Sequence, residues 1–288
     1  MKRYHKKFGT LNVNTLIKLN ERFAIQKWER EENDLFERFC KMLSGLSEAQ
    51  QALILELTRD FLKIDLATYP MHIRSALSEI ESVDFIKAKT VFVMPLLQPE
   101  DFGKSKSSTT VAYLFQDPGT KSHYSIVDKN VFIIHTPEIL SRHLDQVNNK
   151  DNVLLLVDDF IGTGETATNL LNFLIDEIGV TKNKIVVLAL VAQEQGINTI
   201  ESFGVDVYYS VLRKKGITDS YVSPTKEQFI TLMSEIENNL KVNEQFRLGY
   251  KGSESLVTLI RTPNNTFPVF WFEPKLKNKE KVTAPFPR

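Results

Sequence analysis

Apolar residues recur three and four apart through the first third of the chain. Leu35, Phe36, Phe39, Cys40 and Leu43 make one stripe behind Asn33-Asp34. Leu53, Leu57, Phe61 and Ile64 make a second, and Tyr69, Ile73, Leu77 and Ile80 a third. That spacing predicts three amphipathic helices. Ser47-Glu48-Ala49-Gln50 ahead of the second reads as a capping box, with Ser47 accepting from a backbone amide and Gln50 reaching back. Near residue 89 the pattern changes. Thr90–Met94, Asn130–Ile134, Val153–Val157, Lys184–Val191 and Val205–Tyr209 are short, apolar and rich in β-branched residues, as buried strands are. Between them lie helical stretches at 108–115, 165–178 (closed by Gly179, a residue suited to a left-handed cap) and 197–203. Strands alternating with helices predict a mainly parallel central sheet covered on both faces.

The tail has another texture. Ser223-Pro224 open a helix with Phe229, Leu232, Met233, Ile236 and Leu240 on one face. Ser255–Ile260 and Phe267–Phe272 read as two strands joined by Arg261-Thr262-Pro263-Asn264-Asn265-Thr266, a turn-forming run. The expected organisation is therefore an N-terminal helical region (1–85), an α/β core (86–218), and a C-terminal helix and β-hairpin extension packed on the core (219–288).

Composition narrows the class without naming it. Of 288 residues 42% are apolar, and Lys+Arg and Asp+Glu balance at 36 each, so net charge points to neither nucleic acid nor membrane. Both basic runs, Met1–Lys7 and Lys275–Lys281, read first as solvated ends, with a nucleic-acid contact as the alternative. The single cysteine, Cys40, forms no internal disulfide or thiolate metal cluster and reads as a structural thiol. The charged start lacks a signal peptide's apolar run, and no stretch reaches the roughly 18 apolar residues of a membrane span, so a cytoplasmic protein is expected. The five histidines show no metal-ligand spacing. His123, in Asp117–Tyr124, sits in a stretch readable as a mobile loop over a site.

Candidate chemistry concentrates at residues 153–166. Five apolar residues run straight into Asp158 and Asp159. Two adjacent acids in that place are costly unless something uses them, because buried unpaired charge is disfavoured. In an open α/β sheet ligands bind beyond the carboxyl ends of the strands, and a carboxylate pair there suits the vicinal hydroxyls of a ribose, with magnesium able to join as a hard, oxygen-seeking ion. Gly162-Thr163-Gly164-Glu165-Thr166 then enters a helix, where free amides and the helix dipole favour phosphate. The loop has neither the Walker lysine nor the G-x-G-x-x-G spacing.

Val157-Asp158-Asp159-Phe160-Ile161-Gly162-Thr163-Gly164-Glu165-Thr166 resembles the phosphoribosyl diphosphate (PRPP) signature of type I phosphoribosyltransferases. The tail, with Gly249-Tyr250 and Thr262-Pro263-Asn264-Asn265-Thr266-Phe267-Pro268-Val269-Phe270-Trp271, resembles the narrower PRTase-CE branch, associated with prokaryotic conflict systems and some retrons. The resemblance implies an α/β fold of type I phosphoribosyltransferase type. It implies a ribose and catalytic role for Asp158 and Asp159, and a 5′-phosphate held by Gly162, Thr163, Gly164, Glu165 and Thr166. It also implies Mg2+ as cofactor, with no metal site built from protein groups alone. Lys104, Ser105, Lys106, Ser107 and Ser108 stand where the diphosphate loop belongs, though the loop is not of standard form. Gly162 stands where many relatives acting on purines carry an acid. Asn264 and Asn265 are candidates for the acceptor side. The expected function is transfer of 5-phosphoribosyl from PRPP to a nitrogen acceptor by an antiviral defence effector. The alternative is a non-catalytic nucleotide-sensing or interaction subunit of a complex such as a retron. Partners would be PRPP or a related ribose-5-phosphate ligand, with protein, RNA or DNA components of a defence system; no membrane is expected, and a homo-oligomer is left open.

Overall fold

The computed structural model describes residues 11–28, 34–274 and 282–288. Both basic runs, and Asn33 before the first stripe, lie outside them. The chain divides into two compact units, Ile64–Lys214 and Met1–Lys63 with Lys215–Arg288. Most of the expected N-terminal region and the C-terminal extension thus belong to one unit, and residues 64–85 belong with the sheet.

The sheet unit is built on five parallel strands in the order β3-β2-β4-β5-β6. These are β2 (Thr90–Pro95), β3 (Asn130–Ile133), β4 (Asn152–Ile161), β5 (Ile185–Gln193) and β6 (Asp206–Arg213). All five expected strands are present, and all pair in parallel. Each is joined to the next by helices, as parallel pairing requires. Helices α4 (Tyr69–Ser78), α5 (Val83–Lys87) and α6 (Ser107–Tyr113) precede or follow β2. Short α7 (Pro118–Lys121), α8 (Pro137–Arg142) and α9 (Leu144–Val147) flank β3. The α10 helix (Glu165–Asn172) winds on through Phe173–Ile178 to Gly179 at φ +88°, the left-handed stop expected there. It is followed by α11 (Glu194–Glu201). One face of the sheet, with Phe92, Met94, Leu154, Leu156, Val187 and Ala189, buries against Ala167, Leu170, Leu171, Ile197 and Ile200 of α10 and α11.

The order reverses between β2 and β4. From β2 the chain moves to β3 on one side, then returns to β4 on the other. Such a switch point opens a crevice at the carboxyl ends of the two strands. Here it is bounded by the loop after β2 and the loop after β4.

The other unit is mainly helical. It contains α1 (Val13–Gln26), α2 (Leu35–Ser44), α3 (Glu48–Leu57) and α12 (Thr225–Asn239). The capping box forms as read: Ser47 Oγ accepts from Gln50 N at 3.4 Å, and Gln50 Oε1 accepts from Ser47 N at 3.2 Å. A hairpin of Ser255–Ile260 with Phe267–Phe272 does not form. Within the first segment Val257–Thr258 (β7) pairs in parallel with Leu62–Lys63 (β1), and Ser255 makes an isolated parallel bridge to Thr266. Pro268 explains the rest. It has no amide to donate and a fixed φ, and it starts a tight turn in which Trp271 and Phe272 donate back to the Pro268 carbonyl. Phe267, Val269, Phe270 and Trp271 are nonetheless buried, as their apolar area demands. Their partners are in the same unit: Phe270 packs on Phe61 with ring centroids 4.8 Å apart, and Phe61 stacks on Phe286. Cys40 is half-buried here, and burial pushes its thiol upward.

Candidate functional site

Strand β4 runs four residues further than the apolar run predicts, to Ile161. Asp158 pairs with Ala189, Phe160 with Val191 and Ile161 with Ala192, because β5 extends to Gln193 and supplies ladder partners. On the other side β2 stops at Pro95 opposite Val157. The two acids therefore sit within the ladder on one edge and at the open crevice on the other.

Successive residues of a strand face opposite sides of the sheet. Asp158 falls in the series Leu154, Leu156, on the face covered by α10. Asp159 meets the opposite helices. Tyr69 Oη of α4 donates to Asp159 Oδ2 at 3.1 Å, and Ser107 Oγ of α6 donates to Asp159 Oδ1 at 2.7 Å. Asp158 turns its Oδ1 to the Asp159 amide at 2.8 Å. Loss of water around Asp158 raises its pKa well above the usual carboxylate range, and the Asp159 charge beside it adds to this. Burial raises Asp159 as well, against the lowering effect of hydrogen bonds from Ser107, Asp158 and Tyr69. Two such neighbours titrate as a pair, and a nearby cation would favour their ionised form.

The loop after β4 is shaped by glycine. Gly164 adopts φ +81°, and a Cβ there would lie 2.9 Å from Thr199 Cβ and 3.0 Å from the Gly196 carbonyl oxygen. The loop is thus fitted against α11, in a conformation that L side chains rarely adopt. Gly164 also precedes α10 without a capping side chain, while Thr168 closes the first turn onto the Gly164 carbonyl. The first amides of α10 point out of its N-terminus, as at phosphate-binding helix starts. Thr163 Oγ1 lies 3.5 Å from the Glu165 amide.

The loop after β2 is less open than its sequence suggests. Lys104 Nζ and Lys106 Nζ bind the two carboxylate oxygens of Asp101 at 2.8 and 3.0 Å, and these two lysines hold the Asp101 carboxyl below its ordinary range. Ser107 is bound to Asp159, Ser105 is exposed, and Ser108 is buried with its Oγ unpartnered. Thr109 Oγ1 is likewise shielded and unpartnered.

The structure therefore brings the acid pair, the glycine loop and Ser107 into one unit with the lysines. Asn264 and Asn265 belong to the helical unit. There their backbone carbonyls accept from Tyr250 N (2.9 Å), and from Ser255 N (3.0 Å) and Ser253 Oγ (2.9 Å). The stretch containing His123 packs on α4: His123 Nε2 lies 3.1 Å from Ser78 Oγ, and Tyr124 Oη donates to the Ser78 carbonyl. Asp117 caps its short helix through the Thr120 amide at 2.9 Å. Three residue roles escaped sequence reasoning. Tyr69 reads there only as a helix core position. Gly196 lies within a helix, and its closeness to the loop is a tertiary fact. Asp101 had a visible signal, an acid three and five residues before two lysines.

Among the described residues no group of three or more His, Cys, Asp or Glu is placed to hold a metal ion, and no helix is long and apolar enough to cross a membrane. Among solved structures, the chain is similar to orotate phosphoribosyltransferase from Aeropyrum pernix, with 13% identity, 61% of this chain and 77% of that one covered, and a TM-score of 0.31. It is also similar to a hypothetical protein from Neisseria gonorrhoeae with bound ppGpp, with 11% identity, 54% and 85% covered, and a TM-score of 0.35. No curated protein sequence matches it. The sequence profile of one family, PRTase-CE, matches residues 25–288, nearly the whole chain, and the protein belongs to that family.

Proposed function

We propose that the protein binds PRPP with magnesium and transfers its 5-phosphoribosyl group to a nitrogen acceptor, a base, nucleotide or nucleic acid, as an effector of prokaryotic antiviral defence. The observation that carries this reading is the Asp158–Asp159 pair at the mouth where β2 and β4 diverge, with the Gly162–Thr166 loop following it into α10. Ribose hydroxyls are donors suited to the carboxylates, and the amides at the start of α10 suit the 5′-phosphate. Phosphoribosyl transfer breaks the bond from the anomeric carbon to diphosphate and forms one to nitrogen, which gives up a proton. Positive charge builds on the ribose ring as the first bond weakens. The work left to the protein is holding both ends of the ligand in line and opposing that charge with carboxylates, which is positioning and electrostatics.

Magnesium fits the donors present. The acids are hard oxygen ligands whose ionised forms are disfavoured in the protein alone, and one or two carboxylates plus ligand phosphates is the usual protein share of a magnesium site. When bound, the ion would neutralise charge on the leaving diphosphate. Asp158 and Asp159 would help hold it together with ligand oxygens.

A second reading, a non-catalytic nucleotide sensor within a defence complex, is favoured by Gly162, which has no side chain to offer a base, and by the two lysines committed to Asp101. Calorimetry with PRPP and Mg2+, followed by an assay of diphosphate release with nucleobases, nucleotides and nucleic acids, separates the two. Binding with release supports the transferase, and binding without release under every acceptor supports the sensor. Asp158→Asn with Asp159→Asn is expected to stay folded and lose PRPP binding. Unchanged affinity in the folded double variant would overturn both readings.

A further inference from the structure

We propose that the helical unit carries a binding strip for single-stranded nucleic acid, made of Phe246, Tyr250 and Phe272 with Lys251, Arg261 and Arg288. Every one of these residues belongs to that unit, so the proposal does not depend on the ribose-phosphate reading of the crevice.

Rings and cations alternate along one chain of contacts. Lys251 Nζ lies 5.5 Å from the centre of the Tyr250 ring, and the Tyr250 and Phe246 centroids are 6.0 Å apart. Phe246 meets Trp271 edge-on at 5.9 Å, and the Arg288 guanidinium lies 5.4 Å from the Trp271 ring centre. Phe272 stands edge-on to Trp271 at 5.7 Å. Trp271 is buried and fixed by its indole N–H, which donates to the Thr266 carbonyl at 2.7 Å. Phe246, Tyr250 and Phe272 are half-buried, and Lys251, Arg261 and Arg288 are exposed. The strip therefore offers solvent both flat apolar surface and positive charge.

That charge is not consumed within the unit. The stretches 241–274 and 282–288 hold three acids, Glu244, Glu254 and Glu273. The Glu254 carboxylate accepts from the Ile217 and Thr218 amides, and that of Glu273 from Arg38 and the Ala284 amide. Among the described residues neither Arg261 nor Arg288 makes an ion pair. The Thr262 hydroxyl donates to the Phe286 carbonyl at 2.9 Å, which draws the segments carrying the two arginines together. Loss of water over the indole and the like charge of Arg261 hold Arg288 below its ordinary range. Two cations facing each other without an acid carry a cost that an anion between them removes.

The platform is also rigid. The Tyr250 amide donates to the Asn264 carbonyl and Ser253 Oγ to the Asn265 carbonyl, both at 2.9 Å. Gly249 permits this closeness, since a Cβ there would collide with the Asn265 carbonyl. A surface already in place loses little freedom on binding. Aromatic faces beside cations suit a single strand, whose bases stack on rings while its phosphates meet Lys and Arg. A duplex keeps its base faces stacked on one another, and an acidic protein has none to offer.

The test titrates the whole chain into a fluorescein-labelled oligo(dT) of about 12 nucleotides, within the usual span of such sites, and into a duplex of equal length. Anisotropy is read over a salt series. The single strand is expected to bind more tightly, with the logarithm of affinity falling against that of salt by about 0.7 per phosphate contacted. Arg261→Gln is expected to weaken binding and to flatten that slope by about one contact. Tyr250→Leu keeps apolar bulk but loses the flat ring. It is expected to weaken binding about fivefold or more with the slope unchanged, and Tyr250→Trp to restore it. Lys18→Gln, on the exposed side of α1 in the same unit, should change neither quantity. No binding by the wild-type chain, equal affinity for strand and duplex, or unchanged affinity in both Arg261→Gln and Tyr250→Leu would overturn the strip. So would displacement of the strand by polyglutamate at equal charge concentration, which would leave a general anion surface. PRPP affinity, measured on the same variants, is expected to stay constant. PRPP binding without oligonucleotide binding would remove the strip and leave the crevice reading standing.

Discussion

Lys106 Nζ stands 3.0 Å from Asp101 Oδ2, and both belong to the loop expected to hold diphosphate. With Lys104 on the other oxygen, the positive charge of the loop is directed at its own carboxylate. A diphosphate would have to compete with Asp101 for it. Partly exposed ion pairs contribute about 0.2–1 kcal/mol each, so releasing two is worth roughly 1 kcal/mol, about a fivefold gain in affinity. Asp101→Asn is therefore expected to tighten PRPP binding by about that factor in titration calorimetry. The gain should shrink as salt rises, because screening weakens both the internal pairs and the new contact. Weaker binding in the variant would mean that Asp101 orders the loop for the ligand.

Gly164 answers to two constraints at once. Its positive φ is a strain of about 1–3 kcal/mol for a residue with a side chain, and its Cβ position is already taken by Thr199 and the Gly196 carbonyl. Gly164→Val is expected to abolish phosphate binding and to lower the stability of the sheet unit by at least that strain. Thr199→Ala removes one obstacle only, since the carbonyl and the backbone conformation remain. The double variant should recover part of the thermal midpoint and little of the PRPP affinity. A folded Gly164→Val protein with normal affinity would place the phosphate elsewhere.

Stability of the helical unit should fall as pH rises from about 4.5 to about 7 and level off above that. Burial raises the Glu237 carboxyl from 4.5 to about 7, although the Leu248 amide donates to both of its oxygens at 3.0 Å. A raised folded pKa means that the fold prefers the protonated form. Its contribution is fully present below about pH 4.5 and is lost as pH climbs through about 7, on the order of 3 kcal/mol in all. Urea melts at pH 5 and pH 8 check this, followed by the fluorescence of Trp28 and Trp271, both in this unit. Glu237→Gln should flatten the difference between the two pH values. An equal difference in the variant would assign the effect to other groups.

Asn264 and Asn265 hold their turn through backbone carbonyls, which alanine also carries. Replacing both with alanine is therefore expected to leave PRPP affinity unchanged. Measured separately, stability and activity then divide the roles. Lost transfer with intact stability supports acceptor recognition, and lost stability with unchanged specific activity makes the pair structural.

The sequence by itself determined the sheet and marked the centre of the candidate site. Short apolar runs rich in β-branched residues, set between helical stretches, read as strands, so β2 to β6 were readable, although the edge strands β3 and β6 are only partly buried. The acid pair and glycine loop were readable because their cost is local: charge directly after an apolar strand, and glycines at a helix start. Gly179 and the Ser47–Gln50 capping box were legible for the same reason, since caps depend on neighbours within four residues. Tertiary structure alone decided what the acids touch. Tyr69 lies ninety positions before Asp159, and nothing in a helical stripe marks one aromatic hydroxyl as a carboxylate partner. It also decided where β4 ends, because a strand continues as long as its neighbour supplies ladder bonds, and that neighbour is β5. The absent hairpin has the same origin. Alternation and a turn signal suit a hairpin, but Pro268 cannot donate to one, and the extended residues 257–258 found their partner at 62–63, on a segment nearly two hundred residues away.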